Sequence, residues 1–256
     1  MSALEIHMFP CLADNYGYLV HDSATEVTAT IDTPDAAAIL AALEARGWRL
    51  THVLNTHHHA DHAGGNLEIK RRTGCRIIGP RADAARIPGI DVEVGEGDEF
   101  ALGTRRVRVH DTPGHTRGHI IYVLPDDGAA FVGDTLFALG CGRLFEGTPA
   151  QMWSSLQKIA RLPPDTRLYC AHEYTQANAR FALTVEPQNA ALVARARSVE
   201  ELRAARRPTI PTTVAEELAT NPFLRPSSRD LQKTIGLVGA GDVEVFARTR
   251  ALKDAF

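Results

Sequence analysis

Four imidazoles and a carboxylate stand within six consecutive residues of this chain, in the stretch Thr56-His57-His58-His59-Ala60-Asp61-His62. Neutral imidazole is the commonest protein ligand for a divalent transition metal, and a carboxylate is a hard partner for the same ion. An extended course over 57–59 turns His57 and His59 to one face and His58 to the other. A turn into a helix then carries Asp61 and His62 to a neighbouring position. That order suits two metals side by side, one on His57 and His59, the other on Asp61 and His62. Surface or core histidines are the plain alternative. Against it, the whole chain of 256 residues holds only eleven histidines, four of them here.

A chain of this length holds one large core or a larger and a smaller domain. The net charge of −3 gives no bulk attraction for nucleic acid or an anionic membrane. No apolar run approaches the roughly 20 residues that span a bilayer, and Met1-Ser2-Ala3-Leu4-Glu5-Ile6-His7 lacks the blocks of a signal peptide. Cys11, Cys75, Cys141 and Cys170 form no Cys-x-x-Cys pair. They read as reduced structural thiols of a cytoplasmic protein.

Up to about residue 174, short apolar runs alternate with glycine turns and a few amphipathic helices. Ala29-Thr30-Ile31 reads as a buried strand delivering Asp32 at its end. Thr33 is placed to cap a following helix with Pro34 at its first position. Its apolar stripe is Ile39, Leu40 and Leu43, and Gly47 stops it. His52-Val53-Leu54 is the strand that runs into the histidine cluster. Gly64-Gly65 permits a tight turn before a helix through Leu67 and Ile69 that ends near Gly74. Ile77-Ile78, Val107 to Val109, Ile120 to Leu124 and Ala130 to Val132 read as strands, with Asp126-Asp127-Gly128 turning between the last two. From about 175 alanine, leucine, arginine and glutamate take over in helical periods. Thr213-Val214-Ala215-Glu216 fits a capping box, Asn221-Pro222-Phe223-Leu224-Arg225 interrupts the helices, and Val243 to Lys253 forms another.

Two adjacent metals need more ligands than the cluster supplies, and strand ends are where a rigid scaffold presents them. His115 follows the Val107 to Val109 strand within Thr112-Pro113-Gly114-His115-Thr116-Arg117-Gly118-His119. Asp134 ends Phe131-Val132-Gly133-Asp134, and His172 ends Leu168-Tyr169-Cys170-Ala171-His172.

The series His57, His59, Asp61, His62, His115, Asp134 and His172 resembles the metallo-β-lactamase superfamily over roughly residues 5–174. Within it, three further stretches resemble the hydroxyacylglutathione hydrolases, or glyoxalases II. These are Gly133-Asp134-Thr135-Leu136-Phe137 with Gly140 to Thr148, then His172-Glu173-Tyr174-Thr175, then Asn221-Pro222-Phe223-Leu224-Arg225.

The resemblance implies an α/β fold, the αββα sandwich, in a catalytic domain of residues 1–174. A small all-helical substrate-binding domain of 175–256 follows. It implies two divalent metal ions, zinc foremost, with iron or manganese as alternatives. His57, His59 and His115 would hold one, Asp61, His62 and His172 the other, and Asp134 would bridge, which makes Asp61 and Asp134 the catalytic carboxylates. His58 matches no ligand of the family and His119 matches a position beside the site. Arg143, Phe145, Tyr174, Arg250 and Lys253 fall where the family contacts glutathione. A tyrosine is common where Phe145 stands, and lysine is frequent at Arg143, which keeps the charge but changes its geometry.

The implied reaction is hydrolysis of S-(2-hydroxyacyl)glutathione by a metal-bound hydroxide. S-D-lactoylglutathione gives glutathione and D-lactate, the second step of methylglyoxal detoxification. A small-molecule thioester is then the partner of a monomer, with no nucleic acid and no membrane. No Gly-x-Ser-x-Gly elbow is present to favour a serine hydrolase. A persulfide dioxygenase with one iron is the nearest rival, and the long C-terminal helical region speaks for the hydrolase. A metallo-β-lactamase tends to carry cysteine where Asp134 stands, and a nuclease would need a basic channel. A non-catalytic metal protein would close every coordination position.

Overall fold

The computed structural model describes residues 4–256, so the first three residues of the N-terminal stretch read above lie outside the described residues. Two compact units divide the chain. One comprises the residues up to Asp111 with Arg117–Gly133, the other Thr112–Thr116 with Asp134–Phe256.

The first unit opens as an antiparallel meander of β1 (Glu5–Cys11), β2 (Asn15–Asp22) and β3 (Val27–Ile31). From β3 onward the connections are helical, and the sheet becomes parallel because only a crossover can return the chain in the same direction. Helix α1 (Ala36–Arg46) leads to β4 (His52–Leu54). Helices α2 (Ala60–Ala63) and α3 (Asn66–Thr73) lead to β5 (Arg76–Pro80), beside which β6 (Val92–Val94) lies. Then β7 (Glu99–Leu102), β8 (Arg105–Asp111), β9 (Ile120–Leu124) and β10 (Ala129–Gly133) pair antiparallel in sequence order. The turn expected at Asp126-Asp127-Gly128 is there, with Gly128 at φ 58° where a side chain would be strained. β9 and β10 are buried throughout, which is why they read as unbroken apolar runs.

Ile39 and Leu43 of α1 pack with Leu19, Val53, Ile69 and Ile77 on the outer face of the first sheet. Each such side chain contributes roughly 1.5–3 kcal/mol when fully buried. The other face meets the β7–β10 strands: Tyr18 lies edge-on to Phe131 at 5.5 Å, and the Tyr122 hydroxyl donates to the Asn55 carbonyl at 2.8 Å. One detail differs from expectation. The cap of α1 is Asp35, whose carboxylate accepts from the N–H groups of Ala37 and Ala38 at 2.9 and 3.1 Å. Thr33 is committed elsewhere, its N–H to the His62 carbonyl at 2.7 Å and its hydroxyl to Asn66 at 2.7 Å. Gly64 and Gly65 make the expected turn between α2 and α3, with ordinary helical φ values of −64° and −81°. What excludes a side chain at Gly65 is space, since a Cβ would stand 2.7 Å from the Thr33 carbonyl oxygen.

The second unit begins with a small hairpin, β11 (Leu136–Phe137) and β12 (Gly140–Cys141). Then come α4 (Pro149–Ala160), β13 (Arg167–Cys170), α5 (Thr175–Val185) and α6 (Ala190–Ala204). The chain finishes with β14 (Thr212–Thr213), α7 (Val214–Thr220), α8 (Arg229–Thr234) and α9 (Asp242–Asp254). The C-terminal region is therefore helical apart from β14, which adds two residues antiparallel to β13. Thr213 caps α7 by accepting from the Glu216 N–H at 3.2 Å. The reciprocal half of the expected box is diverted, because the Glu216 carboxylate accepts from the Thr212 hydroxyl at 2.8 Å. Asn221 of the helix-interrupting segment holds the hairpin, its amide donating to the Phe137 and Gly140 carbonyls at 3.2 and 3.0 Å. Among the described residues no helix is long and apolar enough to cross a membrane.

Candidate metal centre

In the first unit the histidine cluster leaves β4 through residues 55–59 and enters α2, as its spacing predicts. Asp32, at the tip of β3, organises this stretch. Its carboxylate accepts from the Thr56 N–H at 2.7 Å, the Thr56 hydroxyl at 2.8 Å and His62 Nδ1 at 2.8 Å. A carboxylate only accepts, so His62 carries its proton on Nδ1 and presents a lone pair at Nε2. The Thr56 hydroxyl spends its one hydrogen on Asp32, so at 3.0 Å it accepts from His57 Nδ1. That leaves the His57 lone pair on Nε2, which stands 3.1 Å from His59 Nδ1. His62 Nε2 in turn lies 3.5 Å from Asp61 Oδ2. Asn15 donates to the Asp61 carboxylate and to its carbonyl, both at 3.3 Å.

The neighbouring histidines take other places. His58 turns to Asp83, Nδ1 to Oδ2 at 3.1 Å. His119 stacks on His57 with ring centres 4.8 Å apart. Gly133 leaves room for it, since a Cβ there would stand 2.7 Å from His119 Nε2.

In the second unit, His115 donates from Nδ1 to the Arg143 carbonyl at 2.9 Å, which again leaves Nε2 as the donor for a cation. Asp134 follows β10 and divides its oxygens: Oδ2 is 3.4 Å from His115 Nε2, and Oδ1 is 3.4 Å from His172 Nε2. His172 lies two residues past β13, its ring parallel to Tyr174 at 4.7 Å, with Phe137 edge-on at 5.8 Å.

These spacings suit metal ligation. Two ligands on a tetrahedral ion with bonds of about 2.0–2.1 Å stand roughly 3.3 Å apart. The four pairs just given lie between 3.1 and 3.5 Å. The imidazole hydrogens of His57, His62 and His115 are engaged elsewhere, which fixes the tautomers a cation needs. Among the described residues, three groups of three His and Asp side chains are able to hold a metal ion, all drawn from these seven.

The five positions read as glutathione contacts differ in setting. Arg143, Phe145 and Tyr174 are exposed, and Phe145 packs edge-on to His115 at 5.2 Å. Lys253 is half-buried. Its ammonium lies over the rings of Phe181 and Phe256 at 5.4 and 5.2 Å and is 3.4 Å from the Ala177 carbonyl. Burial, then the Arg250 and Arg143 charges, hold its pKa below the ordinary lysine value, while Asp254 opposes them. Arg250 is buried, donating to the Cys141 carbonyl at 2.8 Å and to Asp254 at 2.9 Å. Sequence reasoning placed Asp32 at a strand tip but gave it no role, and it passed over Asn15 and Asp83. The signal for Asp32 was the same as for Asp134, an acid closing an apolar run.

Residues 22–172 match the metallo-beta-lactamase superfamily, and residues 173–256 match "Hydroxyacylglutathione hydrolase C-terminus". The chain is 57% identical over 256 residues to the hydroxyacylglutathione hydrolase of Maricaulis maris, covering 100% of both chains. The chain belongs to the hydroxyacylglutathione hydrolase family. It is likewise 58% identical to the family's Brucella ovis protein, covering 99% of this chain and 98% of that one. A solved structure described as ETHE1 from Myxococcus xanthus superposes with a TM-score of 0.67 at 26% identity, covering 99% of each chain. The αββα sandwich expected from the motif series is thus the fold of this family, with its helical C-terminal region.

Proposed function

We propose that this chain hydrolyses S-(2-hydroxyacyl)glutathione thioesters, with S-D-lactoylglutathione giving glutathione and D-lactate. The observation that carries this reading is its full-length likeness to hydroxyacylglutathione hydrolases at 57–58% identity. In this reading His57, His59 and His115 hold one divalent cation, and Asp61, His62 and His172 hold the other. Asp134 would serve both. Zinc is our first assignment for both positions, with iron or manganese, which accept the same nitrogen and oxygen donors, as the alternatives. Two such ions supply Lewis acidity toward the thioester carbonyl and water acidified to near neutral pH.

The chain's own residues do the rest. Asp61, steadied by Asn15, orients the attacking water toward the carbonyl carbon. The departing thiol ionises at about pH 8.5, so its expulsion needs no strong proton donor. Residues 1–174 form the catalytic part and 175–256 the part that recognises glutathione. Arg143 and the Lys253 ammonium meet its carboxylates, while Tyr174 and Phe145 line the path of its peptide backbone. Arg250 contributes by holding Asp254 and the Cys141 carbonyl. A cytoplasmic setting agrees with four buried cysteines that are all free.

The test is one sample of purified protein assayed for metal content and for turnover of S-D-lactoylglutathione. Two metals per chain, release of a free thiol and no oxygen uptake are expected. Chelation should abolish turnover and added zinc should restore it. A fully metallated protein that leaves the thioester intact overturns the reading.

A further inference from the structure

His58 is the one imidazole of the cluster turned away from the donor face, and its surroundings are built. Nδ1 faces Asp83 Oδ2 at 3.1 Å, and Nε2 faces Arg86 NH1 at 3.2 Å. A guanidinium only donates and a carboxylate only accepts, so the pair places a ring hydrogen on Nδ1 and leaves Nε2 to accept. The Asp83 side chain is only 2% exposed, and its Oδ1 takes Arg86 Nε at 3.2 Å and a second, short bond from Arg86 NH2. The same carboxylate lies against the backbone of Gly118, where a Cβ would come within 2.2 Å of its Cγ. Asp83 therefore gathers three segments of the first unit: its own turn at Arg81–Arg86, the ligand stretch and the stretch around Gly118.

We infer that Asp83 is a positioning residue which, through His58, holds the donor nitrogens of His57 and His59 ready for a divalent cation. In an extended tripeptide the middle side chain and its neighbours point to opposite faces. Clamping His58 on one face therefore sets the pitch of His57 and His59 on the other. Their nitrogens stand within hydrogen-bond distance at 3.1 Å, and Thr56 holds the His57 ring at 3.0 Å, but neither contact fixes the backbone between the two histidines. The Asp83–His58 bond does so from behind. The inference rests on reading His57 and His59 as metal ligands.

The test titrates metal-free protein with zinc against a competing chelator and leaves catalysis aside. H58A and D83A should each raise the zinc dissociation constant on the order of 10–100-fold, the usual cost of losing a partner behind a ligand. The double variant should be hardly weaker than either single one, because one device has been removed twice. H58N, whose amide N–H can stand where Nδ1–H stood, should recover most of the affinity. Circular dichroism and the melting temperature of the metal-free forms should stay near wild type for H58A and H58N, so that pair carries the test even if D83A misfolds. Wild-type zinc affinity in H58A, or H58N as weak as H58A, overturns the inference. If the wild-type metal-free protein takes up no zinc, the metal-centre reading fails before it.

Discussion

At the scale of single residues, the site depends on carboxylates that each serve two partners. Asp134 gives one oxygen to His115 and the other to His172, both at 3.4 Å. Removing it takes a donor from each proposed ion at once. D134A should keep a wild-type circular dichroism spectrum yet lose bound metal and at least about 10²-fold in turnover. Metal analysis beside the rate decides the matter, and two retained metals with near-normal turnover would exclude the bridging role. Asp32 acts one step further back. Without it the His62 ring loses the partner that sets its tautomer and Thr56 loses its two bonds to the carboxylate. D32A is therefore expected to weaken metal binding about 10–100-fold, measured by chelator competition. The candidate donors of residues 57–62 were legible in the sequence because ligation demands particular atoms at short spacing. Asp32 was legible only as an acid closing an apolar run, and Asn15 and Asp83 not at all, because supporting bonds reach across 24 to 46 positions of chain.

At the scale of elements, Asp22 closes β2 and ties it to the turn between β7 and β8. Burial alone would push its carboxyl up. The N–H and hydroxyl of Thr104 at 2.7 and 2.8 Å, the Thr25 hydroxyl at 2.9 Å and the Ala24 N–H at 3.3 Å outweigh it, and hold the group well below the ordinary carboxylate range. A carboxyl depressed on folding contributes stability above its unfolded pKa of about 3.9 and loses it as pH falls toward the folded value. D22A should cost about 2–3 kcal/mol at neutral pH in urea unfolding, and the gap to wild type should close in acid. Helices and buried strands such as α1, β9 and β10 were legible because period and apolar content agree there. β1 and β7 were passed over, since β1 is mostly half-buried with no clean alternation and β7 has only four residues. The cap of α1 reads as Thr33 in the sequence and is Asp35 in the structure. A threonine next to a proline reads as a cap until the ligand stretch claims its N–H and hydroxyl.

At the scale of the whole molecule, charge decides how an anionic substrate is recognised. The protein carries a net −3, so a glutathione thioester with two carboxylates gains nothing from the overall field. Recognition must come from cations at short range, which puts the weight on Arg143 and Lys253. Lys253 is the informative one, because burial and the two nearby arginines lower its pKa from 10.5. Its ammonium therefore discharges at lower pH than an exposed lysine, and the contact we propose with a substrate carboxylate should go with it. Expected for wild type is an alkaline limb in which KM for the glutathione thioester rises, below pH 10.5, while kcat changes less, the mark of lost uniform binding. K253R replaces the group by one that stays charged throughout this range, so its KM should be flat where that of wild type climbs. K253A should show a raised KM at every pH, with a loss of about 1–3 kcal/mol at neutral pH. The same discharge bears on folding: a lysine whose pKa is lowered on folding weakens the native state below that value, and the penalty lifts as pH rises toward 10.5. K253M should therefore gain stability over wild type at neutral pH and lose that advantage in alkali, a shift that unfolding curves at two pH values would register. If K253R follows the wild-type KM profile through the alkaline range, the limb belongs to another group and Lys253 does not bind the thioester's carboxylate.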